Sequence, residues 1–218
     1  MRRAWVDSRA AWSALFMTRC SAVVLDGMPL HPAVETEYLR FASVYHASAP
    51  NLLNRKDYAR WSYVLERLPE GVSVLDVGVG AGQFISAASR SGRFGTVEGL
   101  DIARHSRFLA PEPKPVNVTY ANAENMPFKD DAFDYVLAME IIEHLGNNAM
   151  LRVLKEIRRV GRYGTIITVP YCEKKPLPKY HKQRFNMKKI NELFPSAAVT
   201  LCVEERKAHW ACIEEGYS

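Results

Sequence analysis

Two short stretches of the sequence contain residue types that chemistry can use. The first is SVLDVGVGAGQF at 73–84, in which Asp76 precedes three alternating glycines at the end of a run typical of a buried strand. Glycines let ligand atoms touch the backbone, and the free N–H groups of a following helix can bind a carboxylate or a phosphate. Asp76 would repel a pyrophosphate but attract an ammonium group. The stretch therefore predicts a ligand that carries an ammonium group, and its G-V-G-A-G spacing differs from the dinucleotide pattern G-x-G-x-x-G.

The second stretch is MEIIEHL at 139–145, which places Glu140, Glu143 and His144 at i, i+3 and i+4. On a helix this spacing puts the three side chains on one face. A histidine with the ordinary pKa of about 6.5 can accept a proton from an alcohol or a phenol near neutral pH. We therefore predict that His144 is a general base, and that His181, in a later basic loop, approaches the same pocket.

The elements that must position these residues follow an α/β pattern. The chain has 218 residues, 48% of them hydrophobic, which suits one α/β domain. From residue 73 onward, short β-rich runs alternate with helical runs, which predicts parallel strands joined by right-handed crossovers. The predicted strands are 73–77, 95–100, 116–120, 133–138 and 163–169, and the predicted helices are 82–91, 103–109 and 140–160 with a break at GNN.

The end of the chain departs from this parallel rule. AAVTLCVEERKAHWACIEE at 197–215 predicts two strands joined by a tight polar turn from Glu204 to Lys207. Such a hairpin places an antiparallel strand in the sheet. The predicted fold class is therefore α/β, with a doubly wound, mostly parallel seven-stranded sheet, an antiparallel C-terminal strand and an N-terminal helical segment.

Residues 1–62 are predicted to form this helical segment, as a lid or cap on the main domain at 63–218. The segment divides into an amphipathic helix within 1–31 and helices at 33–47 and 55–68. Its helices carry an aromatic stripe, which either packs on the sheet or forms part of a lid over a bound substrate. The stripe consists of Tyr38, Phe41, Tyr45, Tyr58 and Trp61. In the lid alternative, Tyr45 contacts the reacting end of the ligand.

Charge and cysteine content indicate the surroundings in which the chain works. The formal net charge is +5, and residues 162–189 contain eight Lys or Arg residues against one acid, Glu173. This basic stretch is either a solvated loop or a surface for an anionic substrate or partner. The four cysteines are far apart, no run is apolar enough to span a membrane, and the arginine-led N-terminus makes a poor targeting leader. We therefore expect reduced thiols, no membrane span and a cytoplasmic location.

Residues 64–214 resemble the class I S-adenosylmethionine-dependent methyltransferases. VLDVGVGAGQF is similar to the first motif of that family. The resemblance implies that one acid and three glycines hold the methionyl part of S-adenosylmethionine, namely Asp76, Gly78, Gly80 and Gly82. VEGLDIA looks like the second strand of the family, which ends in an acid that binds both ribose hydroxyls. Asp101 is the matching residue.

The most specific piece of the resemblance is NAENMPFKDDAFDYVLAMEIIEHL at 122–145. The family shows an acid-Ala-Glu triplet, then Pro-Phe, Phe-Asp and Glu-His. Asn122 replaces the leading acid, and its amide oxygen could accept a hydrogen bond from the adenine amino group as the family's aspartate does. LKEIRRVGRYGTIITVP, with GRYG in place of Pro-Gly-Gly, looks like the helix and fifth strand that follow. The resemblance implies further cofactor contacts for Ile102, Asn122, Ala123, Glu124 and Met139.

The function implied by the resemblance is transfer of a methyl group from S-adenosylmethionine to an oxygen or nitrogen atom of a small-molecule acceptor. The acceptor could be anionic, and His144 would be the catalytic residue. RNA methylation is the alternative among enzymes, and a non-catalytic cofactor-binding domain is the alternative from another class. A nicotinamide dehydrogenase is disfavoured because G-x-G-x-x-G is absent, and methylation of an adenine amino group because no Asn/Asp-Pro-Pro-Tyr motif is present. The oligomeric state is left open.

The spacing of Glu140, Glu143 and His144, with His181 downstream, also raises a metal alternative. The set is similar to the metal-binding residues of small-RNA 2′-O-methyltransferases, which use a divalent ion to hold a terminal ribose. Glu-His-Leu in this position also occurs widely in methyltransferases of small molecules that use no metal. We therefore predict no metal in the site and keep metal-assisted RNA methylation as an alternative.

Overall fold

The computed structural model describes residues 20–24, 28–45, 48, 54–112, 115–204 and 207–217. Within these ranges the chain forms eight strands and five α-helices. The strands are β1 (Cys20–Val24), β2 (Ser73–Val77), β3 (Thr96–Asp101), β4 (Asn117–Tyr120), β5 (Phe133–Met139), β6 (Gly161–Pro170), β7 (Ala198–Glu204) and β8 (Lys207–Gly216). The helices are α1 (Pro32–Tyr45), α2 (Arg55–Arg67), α3 (Gln83–Ser91), α4 (Asn147–Val160) and α5 (Met187–Leu193).

All eight strands belong to one sheet, in the order β1-β7-β8-β6-β5-β2-β3-β4. Strand β8 is antiparallel to both β6 and β7, while the other neighbouring strands pair in parallel. The predicted doubly wound, mostly parallel sheet with an antiparallel C-terminal strand is therefore confirmed. Because the chain proceeds outward in opposite directions from the adjacent strands β2 and β5, the carboxyl ends of these two strands border the crevice where such sheets bind ligands.

The sheet has one strand more than the seven predicted. The prediction of a single helix within residues 1–31 is wrong for Cys20–Val24, which pair in parallel with β7. The sequence CSAVV there ends in two β-branched residues, which suit a pleated edge. The remainder of that predicted helix, residues 1–19, lies outside the described residues, as does most of the predicted turn SAPNLLN at 48–54.

Two predicted helices also differ. Residues 103–109 form turns instead of a helix, because the N–H of Leu109 donates to Ala81 O (3.1 Å) and that of Phe108 to His105 O (3.0 Å). The Leu109 hydrogen bond thus attaches the segment to the glycine-rich turn after β2. The helix predicted from 140 starts only at Asn147, because Glu140 has a left-handed φ of 58° and residues 142–144 form a short 3-10 helix.

The helices α1 and α2 cover one face of the sheet together with α3. The ring of Tyr58 packs edge-on against Tyr38 (5.0 Å between centroids) and against Trp61 (4.7 Å), and it is fully buried. Most of the aromatic stripe therefore packs as core. The hydroxyl of Tyr45 instead donates to Arg107 O (3.1 Å), on the loop after β3. None of the described helices is long and apolar enough to cross a bilayer.

Candidate functional site

The turn after β2 is built from left-handed glycines. Gly78, Gly80 and Gly82 have φ values of 83°, 55° and 93°, a region that other residues rarely adopt. A Cβ on Gly78 would lie 2.0 Å from Ile141 Cδ1, and one on Gly82 would lie 2.9 Å from Leu109 O. A Cβ on Gly80 would meet no protein atom closer than 4.0 Å, so its free side opens into space that a ligand can fill. We call residues 78–82 the glycine loop.

A cavity of about 180 Å³ adjoins the glycine loop at the carboxyl ends of β2 and β5. Asp76 lines it and is almost fully buried. Burial, and to a smaller extent the negative charge of Asp101, raises the pKa of the Asp76 carboxyl to about 7. A cationic ligand group would favour the ionised form. The lining residues are Arg60, Trp61, Asp76, Gly78, Val79, Gly80, Ala81, Gln83, Phe84, Met139 and Glu140.

The remaining residues expected to contact a cofactor lie at the ends of β3 and β4. Asp101 ends β3, and its Oδ2 accepts a hydrogen bond from the Gly80 N–H at 2.9 Å. The next residue, Ile102, is 70% exposed. The end of β3 also holds the start of the segment that follows β4, because the Ala121 N–H donates to Asp101 O (2.8 Å). The glycine loop, Asp101 and the segment after β4 thus meet at one edge of the sheet.

Within that segment each side chain has its own contact. The amide Oδ1 of Asn122 accepts from the Glu124 N–H at 2.9 Å, which leaves one of its lone pairs for a ligand. The Glu124 carboxylate pairs with Arg152 on α4 (2.6 Å from Nε), and Ala123 packs against the core. Asn122 therefore keeps hydrogen-bonding capacity for a ligand.

The three residues Glu140, Glu143 and His144 do not share a helix face, because the backbone turns at Glu140. Glu140 Oε2 lies 3.2 Å from Arg60 Nη1, and its Oε1 accepts from the Thr168 hydroxyl at 3.2 Å. Glu143 is 1% exposed, and neither of its carboxylate oxygens has a hydrogen-bond partner among the described residues. Burial, with the charge of Glu140 adding to it, raises the pKa of Glu143 to about 9.

His144 and His181 do come together as predicted. Their rings pack edge-on with centroids 4.8 Å apart. The Nδ1–H of His144 donates to Tyr180 O (3.1 Å), and the Nδ1 of His181 pairs with Glu173 Oε2 (2.9 Å). Neither Nε2 forms a hydrogen bond among the described residues, and that of His144 lies 3.9 Å from Glu143 Oε1. We call Glu143, His144 and His181 the histidine cluster.

The histidine cluster could hold a cation or transfer a proton. One ligand atom from each member lies within 4.8 Å of the others, and a buried carboxylate with two imidazoles is a donor set that divalent ions accept. The Nδ1 atoms of the two rings contact a backbone carbonyl and a carboxylate. Contacts of this kind usually orient histidines that bind a metal through the other nitrogen. Glu140 stands apart from the cluster because Arg60 holds it. The side chain of His144 is 42% exposed, so a substrate can also reach it.

Sequence reasoning missed the contribution of α2 to the cavity. Arg60 and Trp61 of α2, with Gln83 and Phe84 of α3, line it alongside the predicted residues. One signal was present, because Arg60 precedes the buried Val64 by one helical turn and so places a cation on an apolar face. A charged residue in such a position needs a partner.

Comparisons with known proteins agree with this architecture. Residues 75–169 match the family model of the methyltransferase domain. A demethylmenaquinone methyltransferase from Bacillus licheniformis is 29% identical over 122 residues, which are 52% of this chain and 52% of that protein. A tRNA (carboxymethyluridine(34)-5-O)-methyltransferase from Arabidopsis thaliana is 27% identical over 153 residues, 68% of this chain and 36% of that protein. The chain thus spans about half or less of the length of these two relatives.

A solved structure shares the fold at low sequence identity. The 1,6-didemethyltoxoflavin-N1-methyltransferase of Burkholderia thailandensis, with bound 1,6-didemethyltoxoflavin and S-adenosylhomocysteine, matches with a TM-score of 0.60 at 17% identity. The match covers 88% of this chain and 93% of that one. The similarity therefore extends beyond residues 75–169 to most of the chain.

Proposed function

Residues 75–169 form a class I S-adenosylmethionine-dependent methyltransferase domain, and on this premise we propose that the chain methylates an oxygen or nitrogen atom of a small-molecule acceptor. The observation that carries the proposal is the cavity beside the glycine loop. Its buried acid, Asp76, suits the ammonium group of the methionyl moiety, and the exposed backbone of Gly80 gives that moiety room. Asp101, one strand further, suits the ribose hydroxyls.

The chain's own residues have two tasks in this reaction. Bound S-adenosylmethionine supplies a methyl carbon that the sulfonium already makes electrophilic, so the protein must align the acceptor and receive any proton that it loses. Alignment alone can lower a barrier by about 7 to 11 kcal/mol. We assign the proton to His144, whose Nδ1–H donates to Tyr180 O (3.1 Å) and whose Nε2 is thereby left as the acceptor.

A small acceptor with an anionic group fits the surroundings of His144. The basic stretch folds back onto the histidine cluster, where the N–H groups of Lys182 and Gln183 donate to Glu143 O at 2.7 and 3.0 Å. These backbone contacts bring the lysine-bearing segment next to the residue that would meet the acceptor. The menaquinone-type and toxoflavin-type acceptors in the names of two similar proteins are also small molecules.

Isothermal titration calorimetry tests the cofactor assignment. We expect S-adenosylhomocysteine to bind the purified chain, NADH not to bind, and Asp101→Ala to weaken S-adenosylhomocysteine about 10- to 100-fold because a charge-assisted hydrogen bond is lost. Unchanged affinity in Asp101→Ala, or NADH binding, would overturn the assignment. Binding without turnover of any acceptor tested would favour the non-catalytic alternative.

Metal-assisted methylation of an RNA ribose is the second candidate, and the histidine cluster is the observation that favours it. Glu143, His144 and His181 would hold the ion, which would orient the ribose hydroxyl and lower its pKa. In this case a chelator silences the wild-type chain, and Glu143→Ala is as damaging as His144→Ala. Activity on a small acceptor that survives the chelator rejects this candidate.

A further inference from the structure

A second cavity, of about 600 Å³, lies between α4 and α5 and is larger than the one beside the glycine loop. Sites that bind small molecules have volumes of about 300 to 1,000 Å³. Part of its lining is basic and part is apolar, which matches a ligand with a charged end and an apolar body. The basic residues are Arg184, Lys188 and Lys189, and the apolar ones are Met150, Leu151 and Leu193. We call this cavity the α4–α5 groove.

Two of the three cations in the α4–α5 groove have no ion pair. Lys188 lies 4.0 Å from Glu192, one helical turn further along α5. Arg184 donates its Nε–H to a backbone carbonyl, and the Lys189 ammonium donates to Gln183 Oε1, so neither pairs with an acid among the described residues. Burial lowers the pKa of Lys189, an effect that the charge of Glu192 partly offsets. The groove therefore carries two positive charges that a bound anion would stabilise.

The buried side chain of Gln183 joins the α4–α5 groove to the histidine cluster. Its Nε2 donates to Asn147 Oδ1 (2.9 Å), and its Oε1 accepts from the Lys189 ammonium. The backbone N–H of the same residue donates to Glu143 O (3.0 Å). Because Asn147 lines the groove and follows His144 by three residues, the Cα atoms of the two are at most about 11 Å apart. A small molecule of that length in the groove reaches His144.

We propose that the α4–α5 groove binds a phosphate monoester group of the small-molecule acceptor, while its apolar lining contacts the hydrocarbon next to that group. The inference rests on the proposed function and names the acceptor's chemical class. Arg184 and Lys189 bind the phosphate, whose charge of about −1.5 to −2 at neutral pH matches their two positive charges. A carboxylate would neutralise only one of them. Gln183 is a positioning residue, because it holds the Lys189 ammonium from a buried site.

Titration calorimetry with three naphthalene probes tests the charge requirement. The probes are 1-naphthyl phosphate, 1-naphthoate and 1-naphthol, which share the aromatic body and differ in charge. We expect the wild type to bind the phosphate about 10- to 100-fold more tightly than the naphthol, the range for charge-assisted hydrogen bonds, with the naphthoate between them. Arg184→Gln and Lys189→Gln should each remove most of this preference and leave the affinity for 1-naphthol unchanged.

Arg162→Gln is the matched control. Arg162 belongs to the same basic stretch but lies at the start of β6, beyond the far end of the 14-residue helix α4, which is about 21 Å long. It lies 3.6 Å from Asp134 and does not line the groove. We expect this variant to keep the wild-type preference. Arg184→Lys keeps the charge and should keep part of the preference, which distinguishes lost recognition from lost folding.

The same titrations with S-adenosylhomocysteine present show whether the probe and the cofactor bind together. We expect its affinity to be unchanged by saturating 1-naphthyl phosphate, because the two cavities have no described lining residue in common. Competition between the two ligands would place the probe in the cofactor cavity and overturn the inference.

The outcomes separate the inference from its premise. Equal affinity of the wild type for 1-naphthyl phosphate and 1-naphthol overturns the inference, and so does an equal loss of preference in Arg162→Gln, which would indicate diffuse attraction. A single-stranded RNA that binds far more tightly than 1-naphthyl phosphate and weakens steeply with salt would assign the groove to nucleic acid, which also overturns it. Failure of S-adenosylhomocysteine to bind instead rejects the proposed function.

Discussion

The glycine loop and the histidine cluster lie at the same edge of the sheet but are built in different ways. The glycine loop follows directly from β2, and its three left-handed glycines and the Gly80–Asp101 hydrogen bond fix it through the backbone. The histidine cluster joins side chains from two segments, Glu143–His144 after β5 and His181 in the basic stretch, separated by α4 and β6. One region is defined by backbone shape and the other by titratable side chains.

This difference indicates a division of labour between the two regions. A site made of backbone tolerates few substitutions, and its N–H groups do not titrate, which suits the binding of one invariant ligand. A site made of imidazoles and a buried carboxylate can change its charge, which suits chemistry on an acceptor. Substitutions in the glycine loop should therefore change the affinity for the cofactor, whereas substitutions in the histidine cluster should change kcat.

The largest expected effect lies in the histidine cluster. His144→Ala should lower kcat by about 10²- to 10⁴-fold because the proton acceptor is lost. The affinity for S-adenosylhomocysteine should stay unchanged, since His144 does not line the cavity beside the glycine loop. Steady-state kinetics with calorimetry on the same preparation checks both quantities. A parallel loss of cofactor affinity would contradict the division between the regions.

The next effect lies in the glycine loop. Gly80→Val should weaken S-adenosylhomocysteine more than about 100-fold, because the branched side chain fills the open space beside Gly80 and is strained at a φ of 55°. Gly71→Val is the control for strain alone, because Gly71 has a φ of 78° with no atom within 4 Å of the added Cβ. Calorimetry and thermal unfolding of both variants separate the two effects. Tight binding by Gly80→Val would show that the ligand lies elsewhere.

The smallest effect is a pH dependence of cofactor affinity. Asp76 has a pKa of about 7 in the ligand-free chain, so its ionised fraction, and the attraction for an ammonium group, rises with pH through neutrality. Affinity for S-adenosylhomocysteine should therefore increase up to about tenfold from about pH 6 to about pH 8. Asp76→Asn should abolish this slope. A slope of opposite sign in the wild type would mean that Asp76 does not meet the ammonium group.

The sequence predicts the glycine loop well and the rest of the site less well. The glycine loop depends on neighbouring residues, since the strand, the acid and the glycines all fall within 73–84. The contact of His144 with His181 was predicted, but the helix face of Glu140, Glu143 and His144 was not formed, because the left-handed turn at Glu140 cannot be read from local periodicity.

Long-range partners explain the other differences. Arg60 reaches the cavity only because α2 packs across the sheet, a contact that spacing within the helix does not reveal. The strand β1 forms because β7 offers an unpaired edge, and an apolar run such as CSAVV is ambiguous without that partner. The turns at 103–109 depend on Leu109 reaching Ala81. In each case the deciding contact lies far along the chain.

The strand β1 has a consequence for how the chain assembles. Its partner is β7, and Ser21 meets Thr200 (2.9 Å) across 179 residues of sequence. On the ribosome, residues 20–24 are complete long before Ala198 is synthesised, so this pairing must wait until β7 has been made. Closing so long a loop carries a large entropic cost and slows folding. This edge of the sheet therefore forms late, and until then the free edge of β7 is open to pairing with another chain.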